Sequence, residues 1–183
     1  MKRFARMLIG MAVAGLALSW GAWASARNSA EIDAGVQATL QSFYAQHTGH
    51  HELVDKAAAV LVFPHVTKAG LGVGGQHGEG ALLVNGKIVR YFEVSGASLG
   101  ATLGVAEHSE VILFMTREAR EEFEHSKGWT VGADAGVAVA SKGAGVAYDI
   151  DTLRRPVLAF VLGEHGLMGD LSLAGLKITP VSG

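Results

Sequence analysis

The spacing of apolar side chains changes along the chain. Residues 7–18 form an uninterrupted apolar run, residues 28–47 carry apolar side chains three to four positions apart, and much of the chain after residue 59 alternates with a period of two. A spacing of three to four is typical of one face of a helix, and a period of two is typical of a strand. The pattern therefore predicts N-terminal helices followed by a sheet.

The first predicted helix begins at Asn28, a residue type that caps helices, with Glu31 three positions on as its partner. Its apolar stripe consists of Ile32, Val36, Leu40 and Phe43. We favour core packing for this stripe; contact with a membrane surface is the alternative. No Lys or Arg lies between residues 28 and 55, whereas membrane-surface helices usually pair their apolar face with basic residues.

Thr48-Gly49 predicts a break, followed by a shorter helix over about residues 50–58. His47, His50 and His51 flank the break. A pair four positions apart on one helix could bind a metal, but Gly49 interrupts the helix and no third ligand is evident. We interpret the three as solvated side chains at a helix end, and we predict no metal or other cofactor.

Within the stretch from Val60 to Gly80, glycine occupies every second position (Gly70, Gly72 and Gly74), and a similar pattern recurs downstream. Small residues alternate again at positions 100–104 and 132–140. A bare stripe on a strand lets another backbone approach closely or lets the sheet bend. We therefore predict an α+β fold: N-terminal helices and one internal helix packed on a strongly bent, mainly antiparallel, Gly-rich sheet, barrel-like or a sandwich.

The connections of this sheet have local signals. Asn85-Gly86 predicts a tight hairpin between residues 81–84 and 87–94, and residues 76–80 read as a turn before it. Thr116 predicts the cap of a charged helix that ends at Gly128. Further strands are predicted over residues 110–115, 129–140, 146–150, 157–162 and 167–173.

The N-terminus predicts export. Lys2, Arg3 and Arg6 precede the apolar run, and small residues at positions 22–26 offer cleavage after Ala24 or Ala26; retention as an anchor is the alternative. We expect a periplasmic protein, peripheral to the outer or inner membrane, with a single domain over residues 27–183. Without residues 1–26, 12 Lys and Arg remain against 17 Asp and Glu, a net charge of −5. This balance argues against nucleic acid as a partner, and the lack of cysteine excludes a lipid-modified N-terminal cysteine.

Two motifs suggest chemistry, and we weigh both against a structural role. The GxGxxG match over residues 70–75 would need a helix to open there for a nucleotide, and strands are expected instead. The GxSxG match over residues 96–100 would make Ser98 a hydrolase nucleophile, but an elbow needs a helix after the serine, and these residues alternate. Asp134 sits on a small-residue stripe, where a hydrogen-bonded structural carboxylate is the favoured interpretation over a site residue.

Several spaced strings, namely FPHVTKAGLGVGGQHGEGALL, GASLGATLG, VILFM and WTVGADAGVAVA, together resemble the SYLF domain, a lipid-binding family whose fungal members bind actin. The resemblance covers about residues 54–179. The chain departs from the family pattern at Leu71, usually aromatic, and at Thr102, usually glutamine. It also lacks the usual acid in residues 172–175 and the usual basic residues in residues 163–166.

The resemblance implies a non-enzymatic phospholipid- or phosphoinositide-binding protein that associates reversibly with membranes. In such a protein, an N-terminal amphipathic helix and basic residues would contact the membrane. The corresponding candidates here are the apolar stripe of the first predicted helix (Ile32, Val36, Leu40 and Phe43) and the basic residues Lys68, Lys87, Arg90, Arg154 and Arg155. The alternatives are a serine hydrolase using Ser98 and a structural protein that binds another envelope protein.

Overall fold

The computed structural model describes residues 29–131, 137–140, 154–163, 166–167, 173 and 175–181. The predicted signal segment, the predicted cap Asn28, and Asp134 lie outside these ranges. The strand expected at residues 146–150 and most of that expected at 167–173 lie outside them as well. These predictions therefore stay predictions.

Three helices occupy the places that the sequence indicates. Helix α1 spans residues 29–46 and α2 spans Gly49–Lys56, so the break lies at residues 47–48, one position before the predicted Thr48-Gly49. Helix α3 spans Arg117–His125, and the Thr116 hydroxyl caps it by accepting from the backbone N–H of Ala119. The helix ends three residues before Gly128, because the Ser126 N–H and hydroxyl both donate to the Phe123 carbonyl.

Two very long strands dominate the sheet, and the second of them is its centre. Strand β1 spans Ala59–Val84 and β2 spans Lys87–Phe114. They are joined at the predicted hairpin, where Asn85 and Gly86 have φ of 51° and 74°, as a two-residue turn of this kind requires. The short strands are β3 (Trp129–Thr130), β4 (Val137–Ala140), β5 (Val157–Gly163), β6 (Gly166–Leu167) and β7 (Lys177–Pro180).

The seven strands of the described ranges make one mainly antiparallel sheet. Strand β1 pairs with one edge of β2 along nearly its whole length, while β5 and β7 pair with residues 109–114 and 92–95 of β2, respectively. Strand β3 extends the sheet beyond β7, and β4 extends it beyond β5 in the one parallel pairing among the described strands. The predicted fold class is confirmed: α+β with a strongly bent sheet.

The prediction of a turn at residues 76–80 is wrong, because these residues continue β1. The strand instead folds back on itself near residues 70–74. A Cβ at Gly80 would lie 2.2 Å from the Val62 carbonyl oxygen, and a Cβ at Gly78 would lie 2.6 Å from that of His65. The small-residue positions on β1 therefore serve the close approach of its two halves rather than a turn.

The curled sheet has a core on each face. The inner core includes Phe63, Ile112 and Phe114, and α3 closes it with Phe123, which packs edge-on against Trp129. The outer core lies beneath α1 and includes Val62, Val111 and Phe160. This division follows from the period of two in β2, which sends Val111 and Leu113 to one face and Ile112 and Phe114 to the other.

Candidate binding cleft beneath the first helix

Helix α1 is fastened to the outer face of the sheet by its apolar stripe. Val36 and Phe43 are fully buried, and Ile32 and Leu40 are 9% and 7% exposed. The Tyr91 hydroxyl donates to Asp33 Oδ1 at 2.9 Å. These contacts confirm core packing as the role of the stripe in this conformation. A lipid-contact role for the same four residues stays a prediction and requires α1 to leave the sheet.

A cleft of about 440 Å³ opens along one side of α1. The helix supplies one wall, β1 and β2 supply the other, and the end of β5 closes it. Its lining residues are Gly35, Ala38, Thr39, Ser42, Gln46, Pro64, His65, Glu107, His108, Ser109, Leu162 and Gly163. Gly35 lets α1 approach β1 closely, since a Cβ there would lie 2.8 Å from Pro64 Cβ.

The strand wall of the cleft is irregular because of a β-bulge. The pairing of β1 with β2 shifts between Phe63 and Val66, which frees Pro64 from a ladder hydrogen bond that it cannot donate. The Ser109 hydroxyl donates to the Pro64 carbonyl at 2.7 Å. The bulge places the exposed His65 ring against Glu107, with Nδ1 hydrogen-bonded to Oε1. A histidine–carboxylate couple therefore stands on the cleft wall.

A second histidine–carboxylate couple lies on the inner side of β2. His108 Nε2 is 3.0 Å from Glu110 Oε1, and the two side chains are 2% and 0% exposed. Glu110 Oε2 is buried with no hydrogen-bond partner among the described residues. His108 also contributes to the cleft lining, whereas Glu110 lies opposite Phe63 of the inner core.

Neither couple is among the residues predicted from the sequence. The signal for Glu110 was present, because a period of two places it on the same strand face as Ile112 and Phe114. The His65–Glu107 couple had no local signal, since 42 positions separate the partners and the bulge brings them together.

The histidines at the α1–α2 junction do not share one environment. His50 is fully buried, which corrects the prediction that it is solvated. Its ring stacks on Phe43 at 3.9 Å between centroids, and its Nδ1 lies 2.6 Å from the Phe43 carbonyl oxygen. Burial lowers the pKa of His50; the hydrogen bond to Phe43 opposes this effect, and His47 adds to it.

Within the described ranges, no three His, Asp or Glu side chains are grouped so that they could hold a metal ion.

The basic candidates fall at two places. Lys68 is half-buried near the fold of β1, while Lys87 and Arg90 are exposed beside the hairpin turn. Arg154 and Arg155 are exposed just before β5, whose first residue pairs with Phe114. Phe114 pairs in turn with Ala59, and Ala59 lines a smaller cleft together with Asn85 and Gly86. Four of the five basic residues therefore share the hairpin end of the sheet.

Neither glycine motif has the geometry that its chemistry would need. Residues 70–75 lie within β1 and residues 96–100 lie within β2, so no helix begins at either motif. The strand interpretation of both is confirmed, and Ser98 has no nucleophile elbow. None of the helices in the described part of the chain is both long and apolar enough to span a bilayer.

Helices on a strongly bent, mainly antiparallel sheet define an α+β domain, in which both glycine motifs lie within strands. Residues 95–182 match the family model Ysc84, described as Las17-binding protein actin regulator. This part of the chain belongs to that family, which is the SYLF family identified from the sequence. No curated protein matches the chain.

Proposed function

We propose that this protein is a non-enzymatic phospholipid-binding protein of the bacterial cell envelope that associates reversibly with a membrane surface. The family match supports a binding function, and the signal-like N-terminus supports export. The observation that carries the proposal is the way α1 covers the sheet. The helix buries an apolar stripe against an apolar sheet face, so its detachment would expose two apolar surfaces at once.

The transfer of α1 from the sheet to a membrane surface is energetically accessible. Removing each large side chain of the stripe from water is worth about 1.5–3 kcal/mol, and a bilayer interface offers the same gain as the sheet. The Asp33–Tyr91 hydrogen bond adds about 1 kcal/mol in favour of the docked helix. A membrane can therefore compete with the sheet for α1 if lipid also covers the sheet face that the helix leaves, which includes Val62, Val111 and Phe160.

The hairpin end of the sheet offers a second mode of contact. Lys87, Arg90, Arg154 and Arg155 are exposed there, in a chain whose net charge after residue 26 is −5. A local basic surface of this size would attract anionic headgroups at low salt and lose them at high salt, because each exposed charge adds only about 1 kcal/mol and is screened.

The test is co-sedimentation of the protein lacking residues 1–26 with vesicles of neutral or anionic phospholipid, at low and high salt. Binding that persists at high salt would indicate the α1 stripe, whereas binding that requires anionic lipid and disappears with salt would indicate the basic end. If the protein stays in the supernatant under every condition, the lipid proposal is wrong.

An envelope protein is the second candidate partner. The family description names Las17 binding and actin regulation, so a protein ligand has a precedent in that description. Affinity purification of the exported protein in detergent separates the two proposals. A stoichiometric protein partner that is retained when lipid is removed would favour this second function.

A further inference from the structure

The cleft beneath α1 presents hydrogen-bond acceptors on its strand wall. A carboxylate oxygen can only accept, so in the neutral His65 ring Nδ1 carries the proton that is shared with Glu107. His65 Nε2 is then an acceptor, and it faces α1, 3.7 Å from where a Cβ at Gly35 would lie. The couple thus offers an imidazole lone pair beside a carboxylate that is 58% exposed.

The rest of the lining adds acceptors and no fixed positive charge. Thr39, Ser42 and Gln46 face the couple from α1, and the described lining contains no Lys or Arg. Each of these three side chains carries an oxygen that can accept a hydrogen bond, so together with the Glu107 carboxylate they leave the lining rich in acceptors.

We propose that this cleft binds a primary ammonium group, specifically the ethanolamine headgroup of a zwitterionic phospholipid. An ammonium group has three donors and no acceptor, which complements the imidazole, carboxylate and hydroxyl acceptors of the lining. The volume of about 440 Å³ is within the range of small-ligand sites. The inference rests on the proposed lipid-binding function and names the headgroup that the cleft selects.

The experiment compares vesicles of pure phosphatidylcholine with equimolar phosphatidylethanolamine–phosphatidylcholine and phosphatidylglycerol–phosphatidylcholine mixtures. We expect binding about tenfold tighter to the ethanolamine mixture than to pure choline lipid, because trimethylated nitrogen has no N–H to donate. Glu107→Gln keeps the size of the side chain but removes its charge, and should reduce that preference at least fivefold. Glu122→Gln makes the same change on the exposed face of α3 and should leave it intact.

Two results would overturn the site: equal binding to the ethanolamine and choline vesicles, or an ethanolamine preference that survives Glu107→Gln. A stronger preference for the glycerol mixture would also overturn it, in favour of the basic end. Soluble phosphoethanolamine, followed through the NMR signals of the His65 ring, separates this inference from the lipid proposal. A shift without vesicle binding would support the ammonium site and reject the membrane function, and no shift together with no vesicle binding would reject both.

Discussion

Glu110 and His108 form a polar pair on a strand face that is otherwise apolar. Glu110 lies opposite Phe63 on β1 and Val161 on β5, and both of these belong to the inner core. A buried pair of this kind gains Coulomb energy but loses the hydration of both groups, so its net contribution to stability is small. Loss of one partner is more serious, because the remaining polar group stays buried without compensation.

We therefore expect a strongly non-additive double-mutant cycle. Glu110→Met and His108→Leu should each lower the free energy of unfolding by about 3 kcal/mol, and the double variant should lose less than either single variant. Urea denaturation of the four proteins measures the cycle. Additive losses would show that the two side chains do not act as a pair.

His50 gives stability a pH dependence whose sign follows from its burial. Burial lowers its pKa in the folded state below the ordinary value of 6.5, so between the two pKa values the unfolded chain binds more protons. Folding stability should therefore fall as pH drops through about 6.5, and this loss should end below the pKa of the folded state.

His50→Phe keeps the aromatic stack on Phe43 and removes the titrating group. The variant should lose less stability than wild type between pH 7.5 and pH 5, whatever its stability at pH 7.5. Chemical denaturation across this range isolates the contribution of His50 from those of the other histidines. Parallel curves for the two proteins would contradict the effect.

At the scale of elements, the fold of β1 depends on glycine at specific places. A methyl group at Gly80 would lie 2.2 Å from the Val62 carbonyl oxygen, whereas one at Gly75 would meet only the Gly96 carbonyl oxygen at an ordinary 3.7 Å. Both lie in the same strand and neither has a positive φ. The two positions thus differ in the space around them rather than in backbone conformation.

Gly80→Ala should therefore lower the free energy of unfolding by about 3 kcal/mol or more, because the two halves of β1 must separate. The matched change Gly75→Ala should be neutral or stabilise by up to about 1 kcal/mol, since alanine restricts the unfolded chain. Thermal unfolding of the two variants measures the difference. Equal melting temperatures would mean that β1 does not fold back as described.

Elements with a local cause were predictable from sequence, and elements with a tertiary cause were not. The hairpin at residues 85–86, the Thr116 cap and the α1 stripe each depend on neighbouring residues, and all three are confirmed. The continuity of β1 through Gly78 was missed because its glycines look like turn residues until the opposing strand half is present. The candidate cleft was missed for the same reason, since it depends on a bulge and on partners far apart in sequence.

For the whole molecule, α1 decides which surface the protein presents. Docked, it covers the outer core and forms one wall of the acceptor-rich cleft; detached, it would expose the stripe and the sheet face beneath it. The two proposed lipid contacts thus make different demands. Headgroup binding in the cleft needs the helix in place, whereas insertion of the stripe needs it released.

A disulfide between α1 and β1 tests, in a single protein, whether lipid binding needs α1 docked on the sheet or released from it. Residues 35 and 64 are suited to it, because a Cβ at Gly35 lies 2.8 Å from Pro64 Cβ and a disulfide needs a separation of about 3.5–4.5 Å, a shift of roughly 1 Å. The chain has no cysteine of its own, so Gly35→Cys with Pro64→Cys would form a single bond.

If membrane association requires α1 to leave the sheet, the oxidised variant should remain in the supernatant with vesicles and the reduced variant should sediment with them. Reductant added to wild type should change nothing, which controls for effects on the vesicles, and circular dichroism would verify that both redox forms are folded. Equal sedimentation of the two forms would instead place the lipid contact on a surface that exists with α1 docked. The cleft and the basic hairpin end would then be the remaining candidates. The Glu107→Gln variant tests the cleft, and the salt dependence tests the basic end, because only the basic end relies on long-range attraction that salt screens.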